Sequence, residues 1–383
     1  MTKISCMMNV YNGEKHVKEA VDSILNQTFT DFEIVIIDDG STDRTLQILE
    51  SYDDPRIRIF KNGRNLGISE SRNRGLKKVR GKYVAPLDAD DISLPHRFET
   101  LYRFMEENPQ IDVCGSATEV FGAASRITKP LLTHEEIFAG FLHQCRVLYS
   151  SAIMRREKIV SLDDPFDTGY TFCGDYDLFV RLALMGCKLA NLNKVLVKYR
   201  VHDTNVSVVY NETQRQFDAK VRLHLFKELN IENPEEKLPL HQLLKSGKRR
   251  DRHEMEIVSG WIDELVAANE KRGLFHHEIL KKELARMWYM ALTNSCHNGL
   301  WAWRRYQRQP VSRYYPLGPA SRITLWGKCL LRVNAKKDLV DGLISGTWFE
   351  LHYKPFVLSL KKRMPRMFRK QSGPATARNR KTP

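Results

Sequence analysis

The chain has 383 residues, 42% of them hydrophobic and 28% charged, with 21 glycines and 15 prolines. That length supports one large domain with an appendage, or two domains, and the composition excludes a collagen-like, low-complexity or wholly disordered chain. The net charge of +15 is not spread evenly: residues 1–204 carry 27 Lys+Arg against 29 Asp+Glu, residues 205–300 carry 15 against 14, and residues 301–383 carry 19 against 3, together with four of the six tryptophans. A near-neutral body and a basic, aromatic end therefore need separate explanations. No stretch reaches the ~18 consecutive apolar residues of a membrane span. The opening Met1–Met8 is too short and polar for a signal peptide, so the expectation is a cytoplasmic protein. Seven cysteines, at positions 6, 114, 145, 173, 187, 296 and 329, are scattered and contain no C-x-x-C, which predicts buried free thiols rather than a disulfide framework or a zinc site.

In chain order, the apolar run Ile4–Met8 predicts a first strand, and Val17, Ala20, Val21, Ile24 and Leu25 recur at helical spacing. Phe32–Ile37 predicts a second strand, stopped by Asp38-Asp39-Gly40-Ser41; a helix is expected to restart with Ser41 or Thr42 as its cap and Asp43 in the first turn. Ile57–Phe60 predicts a third strand, Ile68, Leu76 and Val79 a helix, and Tyr83–Leu87 a fourth strand. This βαβαβαβ order implies a right-handed, parallel sheet covered on both faces, with ligands beyond the carboxyl ends of its strands. Both acidic clusters, Asp38-Asp39 and Asp88-Ala-Asp90-Asp91, fall at that end. No G-x-G-x-x-G and no G-x-x-x-x-G-K-[ST] is present to cradle phosphate. A carboxylate can instead hold a divalent metal that binds phosphate, which is the chemical sense of Asp88-Ala-Asp90.

Beyond residue 210 the pattern is helical. Phe217, Val221, Leu225 and Leu229 mark one apolar face, and Ile279, Leu280, Leu284, Met287, Trp288 and Ala291 another, both predicted to pack in the core. Ser372–Pro383 has the composition of a disordered basic tail.

Six segments, in order, resemble glycosyltransferase family 2, the inverting GT-A enzymes. They are Ser5-Cys-Met-Met-Asn-Val-Tyr-Asn-Gly-Glu14, Ser23-Ile-Leu-Asn-Gln-Thr-Phe29, Asp38-Asp-Gly-Ser-Thr-Asp43, Asn65-Leu-Gly67 with Arg72-Asn73, Asp88-Ala-Asp-Asp91, and Asp175-Tyr-Asp-Leu-Phe-Val-Arg181. The resemblance covers about residues 3–207. It implies an α/β, Rossmann-like GT-A domain with a mostly parallel sheet over 1–207; the resemblance does not extend further, and the residue pattern itself gives a helical region over 208–300. A basic aromatic, membrane-associating extension with a disordered end would cover 301–383.

Uracil offers an N3–H donor between two carbonyl acceptors, so a reader needs a carboxylate and a cation or amide. The resemblance puts Asp39 in the first role, Arg72 near the second, and Tyr11 against the base plane. Alternative roles are a helix cap for Asp39 and a surface salt bridge for Arg72. The resemblance further implies Asp90 as a protein ligand of Mg²⁺ or Mn²⁺, Asp88 on the ribose or a metal-bound water, His202 on the metal or the diphosphate, and Arg200 neutralising the leaving group. Turn capping is the alternative for the aspartates. The general base implied is Asp175, with Asp177 its near rival and N-terminal helix capping its alternative role. Two departures stand out: Gly174 where the family usually has Glu, and Asn9-Val10 where Pro-Thr is common.

The resemblance thus implies an inverting transfer of a hexose or N-acetylhexosamine from a UDP-sugar to a glycan or lipid-linked saccharide in envelope polysaccharide assembly. A nucleotide-sugar-binding scaffold without turnover is the alternative raised by the two departures. Trp301–Arg308 and Leu358–Lys370 interleave aromatic and aliphatic residues with cations, as interfacial segments do. They predict an enzyme held peripherally on an anionic membrane, at the inner face of the plasma membrane, in preference to a nucleic-acid binder.

Overall fold

The computed structural model describes residues 2–170, 172–203, 205, 211–245 and 249–332. In chain order its first part contains β1 (Ile4–Val10), α1 (Val17–Leu25), β2 (Phe32–Asp38), α2 (Thr45–Glu50), β3 (Ile57–Lys61), α3 (Ile68–Leu76) and β4 (Tyr83–Val84). Then come β5 (Ile92–Ser93), α4 (Arg97–Glu107), β6 (Val113–Gly122), β7 (Arg126–Ile127), α5 (His134–Gly140), β8 (Ile153–Arg155), α6 (Arg156–Val160), α7 (Gly174–Leu184) and β9 (Leu189–Val201). The strand order is β3-β2-β1-β4-β8-β6-β9-β5, with β7 paired to β6.

The first four strands are parallel, as the βαβ pattern requires. The fourth run continues beyond its two-residue ladder, since Ala85 N–H donates to Ser5 O at 2.9 Å and Leu87 N–H to Met7 O at 3.1 Å. The other half departs from a parallel sheet. β8 runs antiparallel to both β4 and β6, β5 runs antiparallel to β9, and only β6 and β9 pair in parallel. The sheet is therefore mixed.

Register places the site. Val10 lies opposite Asp38, and Asp38 opposite Lys61. Tyr11, Asp39 and Asn62 consequently emerge one residue past the same edge of three neighbouring strands. The helix expected to start at Ser41 or Thr42 begins at Thr45 instead. Its would-be caps are engaged across the loop: Asn12 N–H donates to Ser41 Oγ at 3.0 Å, and Thr42 N–H to Asn12 Oδ1 at 2.8 Å. Asp43 takes over, accepting from Thr45 N–H at 2.9 Å.

Alternation along β1 feeds two cores. Ile4, Cys6 and Met8 pack with Val21, Ile24, Phe98 and Leu101 on one face. Met7 joins Val35, Ile37 and Leu76 on the other, and that cluster runs without a break into the C-terminal helices through Tyr176, Phe226, Trp261 and Trp288. These helices are Asn211–Glu228, Pro234–Lys245, Arg252–Arg272, His277–Thr293, Leu300–Arg308 and Pro319–Leu331. Arg252–Arg272 is delimited by a capping box of Asp251 and Glu254 and by Gly273 in the left-handed region, φ 68°. The helices clasp α5 and α7: the Phe138 and Phe275 rings lie 4.7 Å apart, and Arg146 donates to Glu283 at 2.7 Å.

Both apolar faces predicted beyond residue 210 are core faces. All seven cysteines are free, six buried and Cys145 half-buried. Trp301 and Trp303 are partly buried against the main core, and Arg305 pairs with Glu256. In Trp301–Arg308, Ala302 and Tyr306 seat the helix on the bundle, with both tryptophans half-buried beside them. Leu358–Lys370 and Ser372–Pro383 lie outside the described residues.

Candidate active site

The carboxyl edge of the sheet is lined by the loops after β1, β2 and β4, by the first turns of α3 and α7, and by the end of β9. Asp38, the last residue of β2, is buried; Ser41 N–H donates to its Oδ2 at 3.3 Å, and its Oδ1 has no partner among the described residues. Asp39 is buried as well and holds the loop that enters α3. Its Oδ1 accepts from Asn62 Nδ2 and Leu66 N–H, both at 2.9 Å, and its Oδ2 from Gly67 N–H at 3.0 Å. Gly67 adopts φ 88°, a left-handed conformation that glycine takes without a Cβ penalty. Asp39 thus anchors the start of α3 and does not cap α2, the alternative role considered for it. Tyr11 is 48% exposed at the mouth of this loop cluster.

Arg72 lies with Asp88 rather than with Asp39. Its Nη2 donates to Asp88 Oδ1 at 3.3 Å, and its guanidinium sits 3.8 Å from the Tyr149 ring centroid and 5.5 Å from that of Phe166. The pair is no surface salt bridge, because Arg72 is 6% exposed. Asp88 Oδ2 also accepts from Ser150 Oγ at 3.1 Å.

Asp90 Oδ2 lies 2.9 Å from His202 Nε2 and accepts from Asn205 Nδ2 at 3.1 Å. Burial raises the Asp90 carboxyl above its ordinary value, the neighbouring Asp88 adds to the effect, and His202 opposes it. Asp91 is fully buried and raised well above the ordinary value by burial, Asp88 and Asp90, against which Ser150 and the Arg200 backbone act; its Oδ1 accepts from Arg200 N–H at 2.9 Å, and among the described residues no hydrogen bond reaches its Oδ2. Three crowded carboxylates make a place where a cation relieves charge repulsion. Among the described residues no three His, Cys, Asp or Glu side chains converge as a metal cage. The sparse set of Asp90 and His202 fits Mg²⁺ or Mn²⁺ bound mainly through phosphate and water, as Mg²⁺ characteristically is. Arg200 is committed to this corner: its Nε donates to Asp90 O at 2.8 Å, its Nη2 pairs with Glu19, and its guanidinium lies 4.5 Å from the Phe121 ring.

Asp175 and Asp177 occupy the first turn of α7 and are set apart by their partners. Asp177 is fully buried, accepting from Arg181 Nε at 2.7 Å and lying 3.0 Å from His224 Nε2 on the helix Asn211–Glu228. It joins α7 to the C-terminal helices. Asp175 is half-buried, and no hydrogen bond to another side chain engages it among the described residues. Burial raises its carboxyl above the ordinary value; Arg72 and the Tyr176 backbone pull the other way, and Asp88 pushes with burial. At Gly174 a Cβ would meet Ser69 Oγ at 3.3 Å, and Ser69 Oγ is itself buried without a partner.

Buried polar atoms without a partner among the described residues occur in the helical part, as at Trp288, Ser295 and Ser312, and also along this edge. Asn9 Nδ2, Asp38 Oδ1, Ser69 Oγ, Arg72 Nε and Asp91 Oδ2 are all of this kind, and all belong to the segments that form this edge. The Glycosyl transferase family 2 profile matches residues 5–162. An uncharacterized glycosyltransferase of Haemophilus influenzae is 35% identical over 237 residues, which span 57% of this chain and 72% of that protein. The chain belongs to glycosyltransferase family 2. Its α/β sheet with a helical C-terminal part is the GT-A arrangement that the resemblance implied. A second relative, the UDP-Glc:alpha-D-GlcNAc-diphosphoundecaprenol beta-1,3-glucosyltransferase WfaP of Escherichia coli, is 31% identical over 215 residues, 54% of this chain and 80% of its own length. A crystal structure of S. aureus TarS 1–349 in complex with UDP aligns over 86% of this chain and 90% of that one, with 18% identity and a TM-score of 0.48.

Several residues of this glycosyltransferase site carried no sequence signal. Asn62, Tyr149, Ser150 and Asn205 reach it from segments outside the six motifs, and nothing in their local spacing marks them. Asp91 was visible as the fourth position of the acidic cluster, without an assigned role.

Proposed function

We propose that this glycosyltransferase is inverting and metal-dependent, and moves a hexose or N-acetylhexosamine from a UDP-sugar to a glycan or lipid-linked saccharide in cell-envelope polysaccharide synthesis. The observation that carries the proposal is the contrast in the first turn of α7, where Asp177 is consumed by Arg181 and His224 while Asp175 is left unengaged near Arg72 and Asp88. The activity for which the Escherichia coli relative is named, from a UDP-sugar to a diphosphoundecaprenol-linked sugar, supports the donor and acceptor classes.

In the proposed reaction an acceptor hydroxyl approaches Asp175, which takes its proton as the oxygen forms a bond to the anomeric carbon. The bond from that carbon to the β-phosphate oxygen breaks, and UDP leaves with the electron pair. No covalent enzyme intermediate is needed. Asp90 and His202 would hold Mg²⁺ or Mn²⁺, which when bound neutralises charge developing on the diphosphate. Arg72, whose charge lies beside Asp88, adds positive charge to the donor side. Asp39 presents the loop at Leu66–Gly67 and keeps carboxylate oxygens near the place proposed for uracil N3–H, with Tyr11 on the base plane. Asp88 would meet the ribose or a metal-bound water, and Arg200 would steady the leaving group from its place on β9.

The basic C-terminal end supports peripheral attachment to an anionic membrane at the inner face of the plasma membrane, since each Lys or Arg near such a surface adds about 1 kcal/mol. Among the described residues no helix is long and apolar enough to cross a membrane.

The direct test is slow hydrolysis of a panel of nucleotide-sugars with Mn²⁺, in water and without acceptor. Release of UDP from one or more UDP-sugars, suppressed by chelator, is the expected result. Tight nucleotide-sugar binding with no turnover, with or without a range of saccharide acceptors, would select the scaffold reading prompted by Gly174 and Asn9.

A further inference from the structure

The helix Pro319–Leu331 has two separate apolar faces. One is seated: Leu325 and Cys329 are 1% and 0% exposed, with Cys329 Sγ 3.6 Å from Cys296 Sγ. The other is open. Ile323 is 69% exposed, Trp326 40% and Leu330 38%, so three of the nine exposed large hydrophobic residues among the described residues sit on this one helix. At ~100° per residue they fall within roughly 60° of arc, a single stripe. Arg322 flanks this stripe, Lys328 and Arg332 lie on the other side of the helix, and no carboxylate pairs with any of the three among the described residues. Between Glu283 and Asp338 the chain contains ten Lys or Arg and no Asp or Glu.

We propose that this open face lies on an anionic bilayer surface. Ile323, Trp326 and Leu330 would enter the boundary between headgroups and acyl chains, while Arg322, which flanks the stripe, meets lipid phosphate and Lys328 and Arg332, on the far side of the helix, add attraction at longer range. The combination of an apolar stripe, a tryptophan and unopposed cations is the chemistry of an interfacial helix. A second copy of the chain fits less well. Three side chains fall short of the ~800 Å² per partner of a stable interface, and two such acid-free segments face to face would repel. The proposal deepens the membrane placement made above and moves it from Trp301 and Trp303, which face the core, to the next helix.

The test is flotation of the full chain with vesicles of phosphatidylglycerol and phosphatidylcholine, against phosphatidylcholine alone, over a salt series. Binding to the anionic vesicles is expected to weaken as salt rises, with a residual part that salt does not remove, because screening acts on charge and not on apolar burial. Ile323→Ser/Trp326→Ser/Leu330→Ser should lower the bound fraction at least tenfold. Ile323→Ser alone removes the most exposed residue, leaves the seated face intact, and should still lower it severalfold. Arg322→Gln/Lys328→Gln should weaken binding at low salt and flatten the salt dependence. Flotation of the triple variant equal to that of the intact chain overturns the proposal, as does absence of binding to anionic vesicles. A concentration-dependent dimer that Ile323→Ser abolishes would assign the face to a second copy instead. Nucleotide-sugar hydrolysis without vesicles is scored separately: its loss with flotation intact rejects the catalytic reading alone, and the reverse rejects this one alone.

Discussion

Two helices that pack against the same apolar cluster bury opposite kinds of surface. On α3 the buried residues are Ser69, Ser71, Arg72, Asn73 and Gly75, with Leu76 as the single large apolar one. On His277–Thr293 they include Leu280, Leu284, Met287, Trp288, Ala291 and Leu292. The second helix follows the rule that helical stability comes from an apolar face. The first is held by directed bonds: Asn62 to Ser71 Oγ at 2.8 Å, Asn73 to Asp164 at 2.7 Å and to Phe166 O at 2.8 Å, and Arg72 to Asp88. Among the described residues it also keeps two buried polar atoms without a partner, Ser69 Oγ and Arg72 Nε, against Trp288 Nε1 alone on the other helix. Buried polar groups cost stability when unpaired, so the face of α3 is arranged for position and charge at the sheet edge, and the stability is made up in the helical part.

That division can be broken most visibly at Asp175. Asp175→Asn should lower turnover by about 10²–10⁴-fold, the usual contribution of a general base, with UDP affinity nearly unchanged. The same substitution should raise the melting temperature at neutral pH. A carboxyl whose folded-state pKa is raised contributes stability only below its ordinary pKa, and loses it as pH rises through the raised value; an amide never ionises. If Asp177→Asn damages turnover more, the base is the wrong carboxylate; the expected effect of Asp177→Asn is on stability, through Arg181 and His224.

Trp288→Ala should cost about 3–5 kcal/mol of unfolding free energy by leaving a cavity in the shared core, and calorimetry should show it with UDP affinity retained. Asn73→Ala, on the polar helix, should cost about 1–3 kcal/mol by leaving its former partners at Asp164 and Phe166 unpaired. It should also weaken donor binding, a readout that Trp288→Ala does not move. Equal effects of both substitutions on binding would erase the contrast between the helices.

The smallest effect is in the pH profile. With the Asp175 carboxyl raised by burial, the acid limb of turnover should lie above the ordinary carboxylate range, activity falling as the base is protonated. In Asp175→Asn the residual rate should lack that limb. An acid limb at the ordinary value would place the titrating base in solvent, and so elsewhere.

Short-range chemistry explains what the sequence by itself determined. Strands β1, β2 and β4 were visible as continuous apolar runs, because a parallel strand buried on both faces needs them, and β3, at the sheet edge, from the partly buried Ile57-Arg58-Ile59-Phe60; the acidic clusters were visible at the carboxyl ends of β2 and β4. The first turn of α7 was visible from Leu178 and Leu182 behind Asp175. The apolar faces of the C-terminal helices were visible from their period.

Only the tertiary structure decided which partners each carboxylate meets. Asp177 is spoken for by His224, 47 residues on, Asp39 by Asn62, Leu66 and Gly67, and Asp90 meets His202 across 112 residues. Those pairings depend on strand register and helix docking, which a local pattern does not encode. The same limit explains Trp301 and Trp303. An aromatic interleaved with cations reads alike on a membrane face and on the rim of a core, and the difference is made by what packs behind it: Ala302 and Tyr306 turn one helix inward, while Leu325 and Cys329 seat the next and leave Ile323, Trp326 and Leu330 outside.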